Sequence, residues 1–478
     1  MRSYVLAGVC LAIGAIGCPD HTVSKVTTVP SGVNTKSIPL QANLDVLFVI
    51  DNSPSTADKQ LLFAANFSTF VQSLRQFPNA AGGGSALPNL HIGVVSSTVG
   101  LQSTNVYALS NCPQTSSTDD GRLQTAPRVT GCTPPSAAYI SDLAGSGSDR
   151  ITNYSGALED ELACIAEIGA DGCGFEAQLE GMKRALDGSQ PGNSGFLRPD
   201  AYLAVIFLTD EDDCSVKDPS IFTLDPSTVG GSNDFRCQPM YAYQCDTPIT
   251  TASPATYTNC VPASGANSKY LQDTSYYYDF LSTLKDPSQI VVAMVAGDAT
   301  STIHVGEVTI PETDAMQNPA LEPSCMAMIG SAMTIGRPGV RLADFTSRFG
   351  KQGLFTSVCQ SSYATVFQQI GQLLFNAISP CLEGTVDPTD QQPDNPGFQP
   401  DCVVDDVLGS AESPILPCAM IGSDTPDPNG ARPCWWVAPS TACSGSGSGM
   451  TGGLSMHIER GGVTPPDGTT QVISCATD

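Results

Sequence analysis

Four short apolar runs punctuate the chain, Leu44 to Ile50, Leu90 to Thr98, Tyr202 to Leu208 and Gln289 to Gly297. Each predicts a buried strand. Between the first two, the apolar period lengthens to that of a helix. From about Thr56 to Gln76, the residues Leu62, Phe63, Phe67, Phe70, Val71 and Leu74 share one stripe. Strand, helix, strand is the unit of a parallel sheet. Further helices are expected at about 156–168, 175–186, 270–284, within "VRLADFTSRFG" and at about 363–378, with a short edge strand around Leu354. The intervening stretches 99–150, 214–268 and about 298–338 are polar and read as long loops.

Two ends of the chain break this pattern. Residues 19–40 are polar without an apolar period and read as a tether. Near Cys381 the composition shifts to the acidic, proline-rich "EGTVDPTDQQPDNPGFQP", which reads as a linker over 381–401. Beyond it, "CWWVA", "LSMHIER" and "TQVISC" predict a small β-rich unit over 402–478. The large α/β unit would then occupy 41–380.

The first residues, "MRSYVLAGVCLAIGAIGC", have the form of a targeting segment, 1–18. Arg2 precedes an apolar stretch too short to span a bilayer, and Ala15-Ile16-Gly17-Cys18 resembles the lipobox of bacterial lipoproteins. That resemblance implies lipidation at Cys18 and attachment to the cell envelope; Pro19 points to the outer membrane. Setting aside Cys10 and Cys18, the remaining cysteines are even in number, with ten before about residue 380 and six after it. An exported chain of this kind reads as a disulfide framework. Cys112 with Cys132, Cys164 with Cys173, and Cys214 with Cys260 are candidate bridges.

The 478 residues carry 41% hydrophobic and 14% charged residues, with a formal charge of −26. Such a chain can bury a core, repels nucleic acid and attracts cations. No H-E-x-x-H, Walker A loop or G-x-S-x-G elbow occurs, and four histidines leave little for a catalytic triad. A non-enzymatic role is expected. Trp435 and Trp436 could stack on a sugar, though core packing beside cysteines is the commoner use.

The candidate chemistry lies in "DNSPS". Asp51 ends the first buried strand, and Ser53 and Ser55 follow at alternate positions. In open parallel sheets, ligands bind outside the carboxyl ends of the strands. Carboxylate and hydroxyl oxygens suit a hard divalent cation. One acid with two hydroxyls leaves such an ion under-neutralised, so a carboxylate from elsewhere can complete its shell. Asp210, in "FLTDEDD", ends a second buried strand. Glu211, Asp212 and Asp213 continue the acid and read as a solvated loop, or as groups that bind a second cation.

Strand, D-x-S-x-S, helix, and a later strand ending in "TD" resemble the von Willebrand factor A (integrin I-like) domain. The resemblance covers about 43–378. It implies an α/β fold, a doubly wound and mostly parallel sheet with disulfide-pinned loop insertions, followed by the small disulfide-bridged C-terminal unit. It also implies a metal-ion-dependent adhesion site with Asp51, Ser53, Ser55 and Asp210 as ligands. The family's threonine is missing from "GADGCGFEAQ". Glu176 has the matching offset and is the candidate replacement; Cys173 is the other occupant. The ion implied is Mg²⁺, with Ca²⁺ or Mn²⁺ as alternatives. The partner is a protein presenting an acidic group. The competing expectations are a metal-free structural envelope protein, and carbohydrate binding or hydrolysis in the C-terminal unit or the insertions.

Overall fold

The computed structural model describes residues 33–39, 43–77, 87–101, 112, 119–126, 131–145, 149–223, 225, 229–232, 235–310, 315–330, 332–382, 385–440, 443, 453–462, 465–466 and 469–477. The targeting segment, Cys18 and most of the glycine-serine run after Cys443 lie outside them.

The strand Asn43–Ile50 is central to a seven-stranded sheet. In spatial order the sheet runs Gly353–Ser357, Ile290–Ala296, Tyr202–Leu208, Asn43–Ile50, Asn89–Ser96, Ile140–Ala144 and Arg150–Thr152. The first five strands are parallel. The last two are antiparallel. Both faces are buried, which is why the strand reads as an unbroken apolar run. Val46, Phe48 and Ile50 face one core, shared with the helices Ala57–Ala64, Phe67–Leu74, Leu158–Ala166 and Ala364–Ile378. Leu47 and Val49 face the other, shared with Gln178–Leu186, Thr274–Leu284 and Val340–Ser347. In the first core, Phe48 meets Phe63, Phe67 and Phe70 edge-on at 5.6–5.9 Å between ring centres. Contacts of this geometry add about 0.5–1.5 kcal/mol each beyond the area they bury.

The doubly wound, mostly parallel von Willebrand A-like architecture requires correction. The chain is mixed α/β, with about 25% helix and 32% strand, and its sheets are mixed and partly antiparallel. It is not a clear doubly wound parallel fold. The stretches expected as loops, 214–268 and about 298–338, supply the strands of two further antiparallel sheets. One has the strands Ala315–Leu321, Ile303–Ile310 and Ala255–Tyr257. The other is the hairpin Cys325–Ile329 with Ala332–Gly336. These strands are short and interrupted by Gly, Pro and Glu, so their alternation was too weak to read. The C-terminal strands form a six-stranded, mainly antiparallel sheet. Its edge strand is Val33–Pro39, from the stretch expected as tether, which pairs with Thr470–Ala476. The strand Leu454–Glu459 forms the other edge. Its core holds Trp435, Val437, Leu454 and Ile473, and Trp436 stacks on His457 at 5.1 Å.

Eight disulfides join the sixteen cysteines of the described residues. Such a framework is consistent with an extracytoplasmic or secreted protein. No bridge crosses from the first ten cysteines to the last six. The pairing within the first group differs from the expected one. Cys112 joins Cys173, Cys132 joins Cys164, Cys214 joins Cys237 and Cys245 joins Cys260. Cys132 reaches Cys164 on the helix Leu158–Ala166, and Cys214 joins the nearer Cys237 rather than Cys260. Among the described residues, no helix is long and apolar enough to cross a membrane.

Candidate metal and ligand site

The parallel register of Asn43–Ile50 with Tyr202–Leu208 sets Ile50 beside Leu208, and Asp51 N–H donates to the Leu208 carbonyl at 2.9 Å. Asp51 and Asp210 therefore leave the sheet at the same end of adjacent strands. Pro54 begins a short turn, Pro54–Thr56, that carries Ser53 and Ser55 back towards Asp210. The Ser53 and Ser55 hydroxyls are 3.2 Å apart, and Ser55 Oγ donates to Asp210 Oδ1 at 3.1 Å. Asp51 Oδ1 accepts from Ser53 N–H at 2.8 Å, and Oδ2 accepts from Thr209 Oγ1 at 2.7 Å. The four residues singled out by the motif thus meet in one cluster, with Asp51 fully buried.

Glu176 is also buried. Burial raises its carboxyl pKa well above the ordinary value, and the charges of Glu211, Asp51 and Asp210 raise it further. Burial, then the charge of Asp210, pushes Asp51 up to about 6, against the hydrogen bonds from Ser53 and Thr209. These carboxylates repel one another in a medium that screens them poorly.

Two cations answer them. Lys59 Nζ lies 2.9 Å from Asp210 Oδ2 and donates to the Ser55 carbonyl at 2.8 Å, with its side chain fully buried. Burial works against the Lys59 charge, but Asp210 and Asp58 outweigh it and hold its pKa above the ordinary lysine value. Arg337 Nε lies 3.2 Å from Glu211. Asp58 also lies 3.4 Å from Lys59 Nζ, so the carboxylates here outnumber the two cations. The Gln178 amide donates to Thr209 Oγ1 at 2.8 Å, while its buried oxygen has no hydrogen-bond partner among the described residues.

The donor set fits a hard divalent cation in three respects: hydroxyl and carboxylate oxygens, uncompensated negative charge, and a buried polar oxygen alongside. Among the described residues no group of three or more His, Cys, Asp or Glu is placed to hold a metal ion. A cation here would rest on serine hydroxyls as much as on acids.

No family model matches the chain, and no curated protein matches it. Among solved structures it is similar to the human COPII-coat protein Sec24c, at 8% identity over 96% of this chain and 44% of that one, with a TM-score of 0.26. It is similar also to the pilus adhesin RrgA from Streptococcus pneumoniae, at 10% identity over 94% of this chain and 61% of that one, with a TM-score of 0.22. The chain spans less than two thirds of either protein. Likenesses this remote carry no argument, so the von Willebrand A resemblance rests on its motif alone.

Several residues of the cluster escaped the sequence reading. Lys59 heads the same helical stripe as Phe63, Phe67 and Phe70, and a lysine on a buried stripe is the signal that was there. Thr209 Oγ1 donates to Asp51 and accepts from the Gln178 amide. Thr98 Oγ1 donates to Asn52 Oδ1 at 2.8 Å and accepts from Cys173 N–H at 2.9 Å, tying three loops together. Cys173 itself is bonded to Cys112 and is no ligand.

The acids after Asp210 are not a solvated loop. Asp212 and Asp213 are fully buried. Asp212 accepts from the Arg341 and Leu342 N–H groups at 2.9 and 3.0 Å, at the start of the helix Val340–Ser347, and from Tyr243 Oη at 2.9 Å. Asp213 accepts from Leu179 N–H at 3.1 Å, at the start of the helix Gln178–Leu186, and pairs with buried Arg341 at 3.0 Å. Both carboxylates satisfy helix N-termini. Elsewhere, a cavity of about 520 Å³ opens by the antiparallel edge of the large sheet. Its polar groups answer one another: Arg150 and Tyr154 both bond Asp142 at 2.7 Å.

Proposed function

We propose that this chain is a non-catalytic, lipid-anchored envelope protein that binds another protein through a divalent cation held by Asp51, Ser53, Ser55 and Asp210, with Glu176 beside them. The observation that carries the reading is the meeting of two strand-end carboxylates and two serine hydroxyls in a cluster that retains net negative charge. When bound, the ion would supply an open coordination position for an acidic group of the partner. Ser53 and Ser55 would present hydroxyl oxygens to it. Asp51 would be oriented by Ser53 N–H and Thr209. Lys59 would neutralise part of Asp210, so that the ion keeps enough positive charge to attract a carboxylate. Glu176 works the other way: its charge favours Ca²⁺ over Mg²⁺ and weakens the pull on the partner.

The anchoring part of the reading rests on Arg2, the apolar stretch and Cys18. The disulfide framework supports placement outside the cytoplasm. The test is capture of envelope proteins by the full chain in Mg²⁺, in EDTA, and with Asp51→Ala and Asp210→Ala. A partner retained in Mg²⁺ and lost in the other three arms is the expected result. A partner held equally in all four would end the metal-dependent reading. Release of the protein from the membrane fraction by Cys18→Ser tests the anchor.

A further inference from the structure

The hairpin Cys325–Ile329 with Ala332–Gly336 displays three methionines in a pattern that neither core packing nor the acidic cluster uses. Met326, Met328 and Met333 are 66%, 53% and 50% exposed. Met326 and Met328 alternate with the half-buried Ala327, so both thioethers stand on one face. Met333 is the direct cross-strand partner of Met328, and Ile335, opposite Met326, is buried. Directly opposed residues have Cβ atoms about 5 Å apart, and successive same-face residues are about 7 Å apart. Methionine has three rotatable bonds and a polarisable sulfur, so three sulfurs at this spacing can converge on one point.

We propose that Met326, Met328 and Met333 form a thioether site for a soft monovalent metal ion, Cu(I) or its redox-inert analogue Ag(I). Thioethers select soft ions and leave Mg²⁺ and Ca²⁺ to oxygen ligands. Exposed strand positions favour Val, Ile and Thr, so strand propensity does not account for three methionines there. Every cysteine among the described residues is committed to a disulfide, which leaves thioethers as their soft ligands. The hairpin is held at its base. Cys325 is bonded to Cys359, Ser324 N–H donates to the Gly336 carbonyl at 2.8 Å, and Arg337 N–H donates to the Asp210 carbonyl at 2.8 Å. The strongly negative chain raises the local concentration of cations.

The test uses the full chain with free thiols blocked by alkylation, which spares disulfides and thioethers. Ag(I) is titrated without chloride and followed by calorimetry. Methionine oxidation by peroxide is then mapped by mass spectrometry with and without the ion. The same measurements are made on the Met326→Ile, Met328→Ile, Met333→Ile triple variant, whose exposed strand residues keep the apolar face, and its circular dichroism is compared with wild type. The proposal predicts saturable binding of one equivalent, insensitive to Mg²⁺, and protection of these three methionines from oxidation. It predicts loss of that equivalent in a triple variant with an unchanged spectrum. Absence of saturable binding by the wild type, or binding undiminished in the triple variant, overturns it. Single substitutions guard against a misfolded triple: each should weaken binding in a folded chain, and three silent singles also overturn the proposal.

Discussion

Two groups of buried acids meet at the end of the strand Tyr202–Leu208, and they differ in what surrounds them. Asp212 and Asp213 have a donor for each oxygen: helix N–H groups, Tyr243, Ser215 and the buried guanidinium of Arg341. Asp210 faces Asp51 and Glu176, and only Lys59 reaches it with a full positive charge. The first group is bonded to the starts of two helices and to Arg341, so its acids serve the fold by joining two helices to one loop. The second is short of positive charge, so its acids are costly to the fold unless a cation is supplied. Every oxygen of Asp51 and Asp210 also has a donor, so the comparison teaches that burial of a carboxylate says nothing of its role until the charges around it have been counted.

The sharpest way to break the comparison is to remove the fully buried cation from each group, Arg341 from the first and Lys59 from the second. Arg341→Leu and Lys59→Ala should each cost about 3–5 kcal/mol in EDTA, because each strands a buried carboxylate. Urea unfolding measures both losses. Excess Mg²⁺ should recover much of the Lys59→Ala loss and none of the Arg341→Leu loss. Equal recovery, or none in either, would erase the distinction between the two groups.

Next in size are the acids themselves. Asp212→Ala removes acceptors for Arg341 and Leu342 N–H and should lower stability by about 1–2 kcal/mol whatever the metal. Asp51→Asn should behave differently. In EDTA it relieves repulsion with Asp210 and Glu176, so stability should be unchanged or higher by about 1 kcal/mol. A clear loss in EDTA would place Asp51 with the structural acids.

The smallest expected effect is on pH dependence. Asp51 has a folded pKa of about 6, above its ordinary value of 3.8. The folded state then holds a proton that the unfolded state has lost. The contribution of Asp51 to stability should therefore fall as pH rises from about 4 to about 6 in EDTA. A cation requires the ionised carboxylate, so the stabilisation by Mg²⁺ should grow through the same window. Burial also raises Asp45 and Asp212 to about 6, so unfolding midpoints at pH 5 and pH 7.5, with and without Mg²⁺, are compared between wild type and Asp51→Asn to check both signs. An ion-induced shift of the same size at the two pH values would contradict this assignment.

The sequence showed the centre of the molecule well and its margins poorly. The runs ending at Ile50 and Leu208 are apolar throughout because both faces of those strands are buried, and their pairing brings Asp51, Ser53, Ser55 and Asp210 together. The helix expected over 56–76 breaks at Ala65 and Asn66, which a continuous apolar stripe cannot reveal. Lys59 was missed because charge on a helix is ordinarily read as a solvated face. Asp212 and Asp213 were misread for the same reason, since their donors come from residues 179 and 341–342 and no local pattern announces them. The sheet strand Val33–Pro39 was hidden because its partner lies at the other end of the chain.

The most direct test of the central claim is thermal unfolding of the full chain in EDTA and in Mg²⁺, Mn²⁺ or Ca²⁺, alongside Asp51→Ala and Asp210→Ala. A ligand of the folded state at a hundred times its dissociation constant stabilises it by about 2.7 kcal/mol. The account predicts a cation-dependent rise in the midpoint of the wild type that both substitutions abolish. A folded wild type whose midpoint no cation moves, or a rise that survives both substitutions, would contradict it.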